Sequence, residues 1–177
     1  MFRGHQEASG GGAHPVYQAT HTSSNTVTFQ VTADGTMTNS GQPAFNAYPA
    51  SNQNDFALDS DVTVVFGSER FDQGGDFASN TFTAPVTGKY QLQASLRLYN
   101  VDSAAGYYQI KIQTSNANYD AIFDPDFGQD AVYWNHSLTI LADMDISDTA
   151  IVSIKQDSGT QQTDVQTESW FSGFLVC

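Results

Sequence analysis

Cysteine is almost absent from this chain: there is one in 177 residues, at position 177. No intrachain disulfide can form, so the fold rests on packing or on association between copies. Basic residues are scarce too, six Lys and Arg against nineteen Asp and Glu, for a formal charge of -13. That surplus repels phosphate backbones and anionic headgroups, which argues against nucleic acid as a partner and against membrane insertion or adhesion. No apolar run approaches the roughly 20 residues of a membrane-spanning helix. The N-terminal stretch lacks the apolar region of a secretory signal, so release by cell lysis is the expectation. Helical i, i+3, i+4, i+7 spacing is missing throughout, which leaves β-structure as the way to bury a core.

What is present is a polar, lightly charged chain, 14% Asp, Glu, Lys and Arg, whose surface is supplied by Thr, Ser, Asn and Gln, as in extracellular or virion β-proteins. Residues 64–98 organise it. Tyr90, Leu92, Ala94, Leu96 and Leu98 alternate with Gln91, Gln93, Ser95, Arg97 and Tyr99, the period of two of a strand with one face buried. Before it, the run Asn80-Thr81-Phe82-Thr83-Ala84-Pro85-Val86-Thr87-Gly88-Lys89-Tyr90 reads as a strand and a Pro/Gly turn. Residues 43–48 and 62–66 read as strands, and 71–77 as a bulged or looped segment carrying Phe71 and Phe77. Residues 107–114 and 131–142 are half-buried strands. Residues 151–155 and 170–176 are apolar on both faces and call for a second covered surface beyond the internal core. Short strands with frequent turns predict an all-β sandwich, and about eight to ten of them fit a jelly roll.

Upstream, residues 1–25 read as a leader that is flexible or partner-dependent; its His5, His14 and His21 are too widely spaced in glycine-rich sequence for a zinc site. Residues 26–42 hold a β-hairpin and linker: Val27, Phe29 and Val31 alternate with Thr and Gln, Asp34-Gly35 turns, and Thr36-Met37-Thr38 returns. A lone hairpin is marginal in water. It is either the last rung of a fibrous shaft of three copies or a strand pair packed on its own domain. Residues 43–177 form the main domain.

The order of Ala44-Phe45, Val64-Val65-Phe66, Phe77, the F-T-A-P-x-x-G-x-Y run at 82–90 and the terminal Phe171-Ser172-Gly173-Phe174-Leu175 resembles the C1q-like domain of the C1q/tumour-necrosis-factor superfamily. The resemblance spans roughly residues 43–176 and implies a homotrimer of ten-stranded jelly rolls in which the C-terminal strand lies centrally. It places Phe45, Tyr48, Trp170 and Phe174 at the trimer interface. No G-X-Y repeat is present to make a collagen stalk. The threonine-rich hairpin instead resembles the end of a bacteriophage fibre shaft. The implied function is a fibre-tip or related virion structural protein whose knob attaches to a host-surface receptor, a glycan or a protein, alongside other virion proteins. A virion head or decoration protein with a stabilising role, and a secreted C1q-like lectin, are the alternatives.

Catalytic chemistry finds little to build on. His136, beside Trp134 and Asn135, is the only histidine after position 21 and reads as a surface or interface residue; most aspartates sit in turns, which they stabilise locally. No enzyme is expected. The site candidates are Tyr119, Asp120, Asp124, Asp126, Phe127, Asp130 and Trp134, where aromatics able to stack on a receptor lie among carboxylates. Asp124, Asp126 and Asp130 are the candidate ligands of a calcium ion, the one cofactor considered; the spacing does not match an EF-hand loop, and the bland alternative is a solvated loop.

Overall fold

The structure, a computed structural model, describes residues 15–20 and 27–177. His5, His14 and His21 lie outside the described residues. The chain forms two compact units, Met1–Gln42 and Pro43–Cys177. In the first, β1 (Pro15–Thr20), β2 (Val27–Thr32) and β3 (Met37–Asn39) make a three-stranded antiparallel sheet in that order. The turn between β2 and β3 is the expected one: Gly35 takes φ 86, and the Thr36 amide donates to Asp34 Oδ1 at 3.2 Å. Within residues 1–25, expected as a flexible or partner-dependent leader, Pro15–Thr20 is a strand paired with β2. Tyr17 lies opposite Val31 and Ala19 opposite Phe29, so the open edge of β2 is a template for extended backbone that local sequence alone does not reveal.

The second unit contains β4 (Ala44–Tyr48), β5 (Val62–Thr63), β6 (Ser68–Gln73), β7 (Phe77–Ala78), β8 (Thr81–Thr83), β9 (Gly88–Val101), β10 (Tyr107–Thr114), β11 (Asn118–Phe123), β12 (Ala131–Met144), β13 (Thr149–Asp157), β14 (Asp164–Val165) and β15 (Trp170–Leu175). They build two six-stranded sheets. The front sheet runs β12-β9-β15-β4-β6, with β14 also on β9; the back sheet runs β11-β10-β13-β8-β7, with β5 also on β13. This is the expected all-β jelly-roll sandwich. β5, β7 and β14 are ladders of two residues each, which no periodicity could announce.

The core lies where alternation put it. Tyr90, Leu92, Ala94, Leu96 and Leu98 of β9 are fully buried, and they face Tyr108, Ile110 and Ile112 of β10 and Val152 and Ile154 of β13. Each such side chain contributes about 1.5–3 kcal/mol by leaving water. One end of the core is aromatic: Phe45 stacks on Phe77 at 5.1 Å and Phe82 at 4.7 Å and meets Phe171 edge-on at 5.0 Å.

Two expected elements differ. Of residues 62–66, Val62 and Thr63 form the ladder on β13 and the Val64 amide donates to Val152 O at 2.9 Å. The Val65 amide donates instead to Gln53 Oε1 at 3.1 Å and the Phe66 amide to Asn80 Oδ1 at 2.8 Å, so side chains satisfy backbone that a ladder would otherwise serve. Residues 71–77, expected as a bulged or looped segment, begin as part of β6, which pairs with β4 through a register shift at Asn46/Ala47. Phe77 is core and Phe71 is exposed. Between β7 and β8, Ser79 (φ 51) and Asn80 (φ 66) form a two-residue hairpin loop with both residues left-handed, the type I′ geometry that Asn tolerates.

The two motif glycines have one kind of cause, close approach. A Cβ at Gly173 would stand 2.5 Å from Leu92 Cδ2 and 2.8 Å from Phe45 Cε1; one at Gly88 would stand 2.5 Å from the Cys177 carbonyl oxygen and 2.6 Å from Leu175 Cδ1. Gly88 therefore lets residues 175–177 close against the start of β9, where the Lys89 amide donates to Cys177 O at 2.7 Å. The turn is held by the Tyr90 hydroxyl, which donates to Val86 O at 2.7 Å. Gly173→Ala is expected to destabilise the fold by about 1–3 kcal/mol through overpacking and Phe45→Ala by about 3–5 kcal/mol through the cavity it leaves. Urea unfolding followed by intrinsic fluorescence measures both.

Candidate functional site at the distal loops

Strand direction sorts the loops of the second unit into two ends. Pro43 enters where Leu175 and Lys89 lie, with the Leu175 amide donating to Pro43 O at 3.1 Å. β9 leaves that end, and the loops 102–106, 124–130 and 158–163 gather at the other. Acidic side chains tie these distal loops together. Asp102, buried, accepts from the Ala104 amide at 2.9 Å and from the Thr160 amide. Asp130 accepts from the Ser103 amide at 2.9 Å, from Ser103 Oγ at 2.8 Å and from Gln162 Nε2 at 2.9 Å; the bonds from the Ser103 amide first, then Gln162, hold its carboxyl below the usual range. Beneath them Tyr108 Oη accepts from the Asp102 amide at 2.9 Å and lies 2.6 Å from Thr163 Oγ1, which donates to Asn100 O at 3.0 Å. A satisfied buried network of this kind fixes loop positions.

Between the edge strands β11 and β12 the sandwich opens, and aromatic rings fill the gap. Phe123 stacks on Tyr108 at 5.1 Å and contacts Trp134 at 5.3 Å, Phe127 at 6.3 Å and, edge-on, His136 at 4.9 Å; Phe127 and Trp134 are 4.9 Å apart. Phe127, Trp134 and Phe123 lie within 34° of parallel. Phe127 is 39% and Trp134 38% exposed, so their rings form a rigid apolar surface at the loop end. Asp124 and Asp126 flank it, the Asp126 amide donating to Asp124 Oδ1 at 3.1 Å.

Of the seven candidate residues, then, Asp124, Asp126, Phe127 and Trp134 come together. Tyr119 and Asp120 sit on opposite faces of β11: Tyr119 packs on the core, and Asp120, exposed, accepts from Gln109 at 2.9 Å. Asp130 is spent on the neighbouring loops. The calcium reading of Asp124, Asp126 and Asp130 is not assembled, since among the described residues no three His, Cys, Asp or Glu side chains gather as a metal requires. His136, expected at the surface or an interface, is buried, with Nε2 2.8 Å from Ala121 O; a carbonyl only accepts, so Nε2 carries the proton.

The outward face of the front sheet carries the residues expected at an interface. Register places Trp170, Ser95 and Ser137 in one row, Ser172, Gln93 and Thr139 in the next, and Phe174, Gln91 and Leu141 in the third. Tyr48, Trp170 and Phe174 all lie on it; Phe45 points to the other side, into the core, and the assignment of Phe45 to an interface is corrected by its burial among Phe77, Phe82 and Phe171. Sequence reading also missed a concavity of ≈ 280 Å³ on this face, lined by Arg97, Tyr133, Glu168 and Trp170 among others. There Arg97 bonds Glu168 at 3.0 Å and lies over the Tyr133 ring at 4.9 Å. It brings together residues 36 and 71 positions from Arg97, which only the sheet register makes neighbours.

Residues 44–176 match the C1q domain family. The chain belongs to that family. Its C1q domain therefore accounts for nearly all of the second unit, and the first unit lies outside it. The globular domain of zebrafish complement 1qA protein superposes with a TM-score of 0.55 at 18% identity, over 77% of this chain and 98% of that one. Two structures of murine APRIL, at pH 8.5 and 8.0, give 0.55 and 0.57 at 9% and 10% identity, over 76% of this chain and 99% of theirs. At these identities the likeness establishes the fold. No curated protein matches the chain in sequence.

His136 yields a pH dependence. Burial pushes its pKa below the ordinary 6.5, opposed by the bond to Ala121 O. Below 6.5 the unfolded chain takes up a proton that the folded C1q domain refuses, so stability falls as pH drops from 6.5 toward the folded pKa. The urea midpoint should be higher at pH 7.5 than at pH 5.5, roughly the half-unit to unit span on either side of an unperturbed histidine. His136→Gln, which keeps a donor for Ala121, should reduce that difference.

Proposed function

We propose that the chain is a non-enzymatic binding protein: a homotrimer of C1q domains that forms the tip of a virion fibre and attaches it to a host-surface receptor through the distal loops. What supports the trimer is the outward face of the front sheet, where Phe174 is 42% and Leu141 60% exposed and Tyr48 and Trp170 lie in the same surface. A closed ring of three needs a second, unlike surface for this face to meet, and the flank along β11 and β12 offers exposed Ile122 and Val132. The fibre-tip assignment draws support from the additional β-sheet unit ahead of the C1q domain.

The single observation that carries receptor binding is the exposed ring of Phe127, backed by Trp134 and Phe123, at the end of the domain opposite the point where Pro43 enters. A rigid aromatic offers contact area at little entropic cost, and three copies act together, so a weak site suffices. The receptor reading is of an uncharged glycan or a protein surface, because each Lys and Arg of residues 43–177 is already engaged: Lys89 with Asp143, Arg97 with Glu168, Lys111 with Asp61, Lys155 with Asp157, and Arg70 over Tyr48. An anionic receptor would meet a surface with a large excess of carboxylates.

Sedimentation equilibrium should give three times the 19.2 kDa chain mass. Phe174→Asp should weaken assembly at least tenfold, about 1.4 kcal/mol or more; a wild-type monomer at micromolar concentration sinks the trimer. Phe127→Ala should leave assembly intact and lower retention on target cells and glycan arrays by about 10²-fold or more, since a per-site loss is multiplied by valency. Unchanged retention removes the aromatic surface from recognition.

A further inference from the structure

The concavity on the outward face of the front sheet, lined by Ser95, Arg97, Tyr133, Asn135, Glu168 and Trp170, holds its side chains in fixed places. Register puts Tyr133 opposite Tyr99, Asn135 opposite Arg97, and Ser137 and Trp170 on either side of Ser95. Two aromatic side chains therefore flank the Asn135–Arg97 row, separated by about 13 Å of strand. The Gln166 amide donates to Arg97 O at 2.9 Å, and the Arg97 amide donates at 2.9 Å to Oγ of Ser169, which is buried. These two bonds pin the 166–169 turn to β9 and set Glu168 beside the Arg97 guanidinium at 3.0 Å. A ligand meeting such a site does not have to order it first.

Much of its hydrogen-bonding capacity is unspent. Among the described residues none donates to or accepts from the Asn135 side-chain amide, the Tyr133 hydroxyl or the Trp170 indole N–H. A guanidinium carries several donors, and among the described residues Glu168 is the one carboxylate on that of Arg97. The guanidinium also lies over the Tyr133 ring at 4.9 Å, and Tyr99 supports that ring from the other side at 5.2 Å. Arg97 and Glu168 cancel, and no other charged side chain lines the concavity. Its ≈ 280 Å³ falls just under the roughly 300–1,000 Å³ of small-molecule clefts, which suits a single small ring.

We infer that this concavity binds a neutral pyranose ring of a glycan. Adjacent hydroxyls of a pyranose donate and accept at once, and a guanidinium beside a carboxylate answers both. The C–H face of the ring is apolar and packs on an exposed aromatic side chain, here Tyr133, which is 55% exposed. A purely apolar ligand would cover Asn135, Arg97 and Glu168 without pairing them, and an anion would meet a chain of net charge -13 and a guanidinium already matched by a carboxylate. The site is separate from the Phe127 ring and does not depend on it. It lies on the distal side of the rows proposed for the trimer contact, those of Tyr48 and Trp170 and of Phe174 and Leu141, and shares Trp170 alone with them. One ring in an open site binds weakly, with a dissociation constant of about the millimolar order.

The test uses the full chain. Titration calorimetry and saturation-transfer NMR with the methyl glycosides of glucose, galactose and mannose and with N-acetylglucosamine should show at least one of them bound with a dissociation constant of about 0.1–10 mM. N-acetylneuraminic acid, which carries a carboxylate, should bind at least about tenfold more weakly than that sugar. Arg97→Met, which keeps the aliphatic stem, and Asn135→Ala, which trims an exposed side chain, should each weaken the bound sugar by about tenfold, the loss of a charge-assisted or paired hydrogen bond. Both variants should keep the wild-type urea midpoint and sedimentation mass. Thr139→Ala, on the same face outside the concavity, should leave the affinity as it is. Binding of none of the four sugars, wild-type affinity in both Arg97→Met and Asn135→Ala, an equal loss in Thr139→Ala, or tighter binding of the acid overturns the inference. Weakened assembly by Arg97→Met or Asn135→Ala overturns it as well, because the concavity then seats a side chain of a second copy.

Discussion

The burial of one face of β9 is the constraint on which the rest of the structure depends. Its even-numbered residues from Tyr90 to Leu98 are sealed from water, and its two edges carry β12 on one side and β15 and β14 on the other. A one-residue slip in either pairing would carry those side chains out to solvent. The close contacts at Gly88 and Gly173 belong to the same constraint: β15 lies tightly enough on β9 that neither position has room for a Cβ. Once β9 is fixed, Phe171 is pressed against Phe45 and Phe77, and the back sheet has a defined surface to cover.

With the inner face sealed, the outer face of the same strand turns away from the core. Gln91, Gln93 and Ser95 turn outward from the core, and the rows they begin reach across β12 and β15 to Phe174, Ser172 and Trp170. The acidic surplus is managed by position. The cations of the C1q domain are spent one by one on carboxylates or on an aromatic ring, and several remaining aspartates serve as acceptors for loop amides, as Asp72 does for the Asp76 and Phe77 amides at 3.0 Å each. Charge here shapes turns and pairs off where cations are present.

The long strands, the core they form and the family were legible in the sequence because period-two alternation and the two motif runs are local or nearly so. Phe82 and Tyr90 were readable as rings across a turn, and they meet at 5.3 Å. The candidate site was legible only in part. Phe127 and Trp134 were nominated from residue type, but Tyr119, Asp120 and Asp130, from the same acidic-aromatic stretch, point elsewhere. A loop's composition says what it contains, whereas the strand before it decides which side chains share a face.

Sequence by itself determined the all-β class, the inward set of β9 and β10 and the turn at Asp34-Gly35, all of which follow from alternation and turn chemistry. Tertiary structure alone decided that Phe45 is core, that His136 is buried against Ala121 O, that Pro15–Thr20 is a strand, and that Arg97, Tyr133, Glu168 and Trp170 line one concavity. Each of these depends on contacts between residues distant in the chain, and such contacts are set by sheet register and by which edge of a strand finds a partner, neither of which is written in any local run of residues.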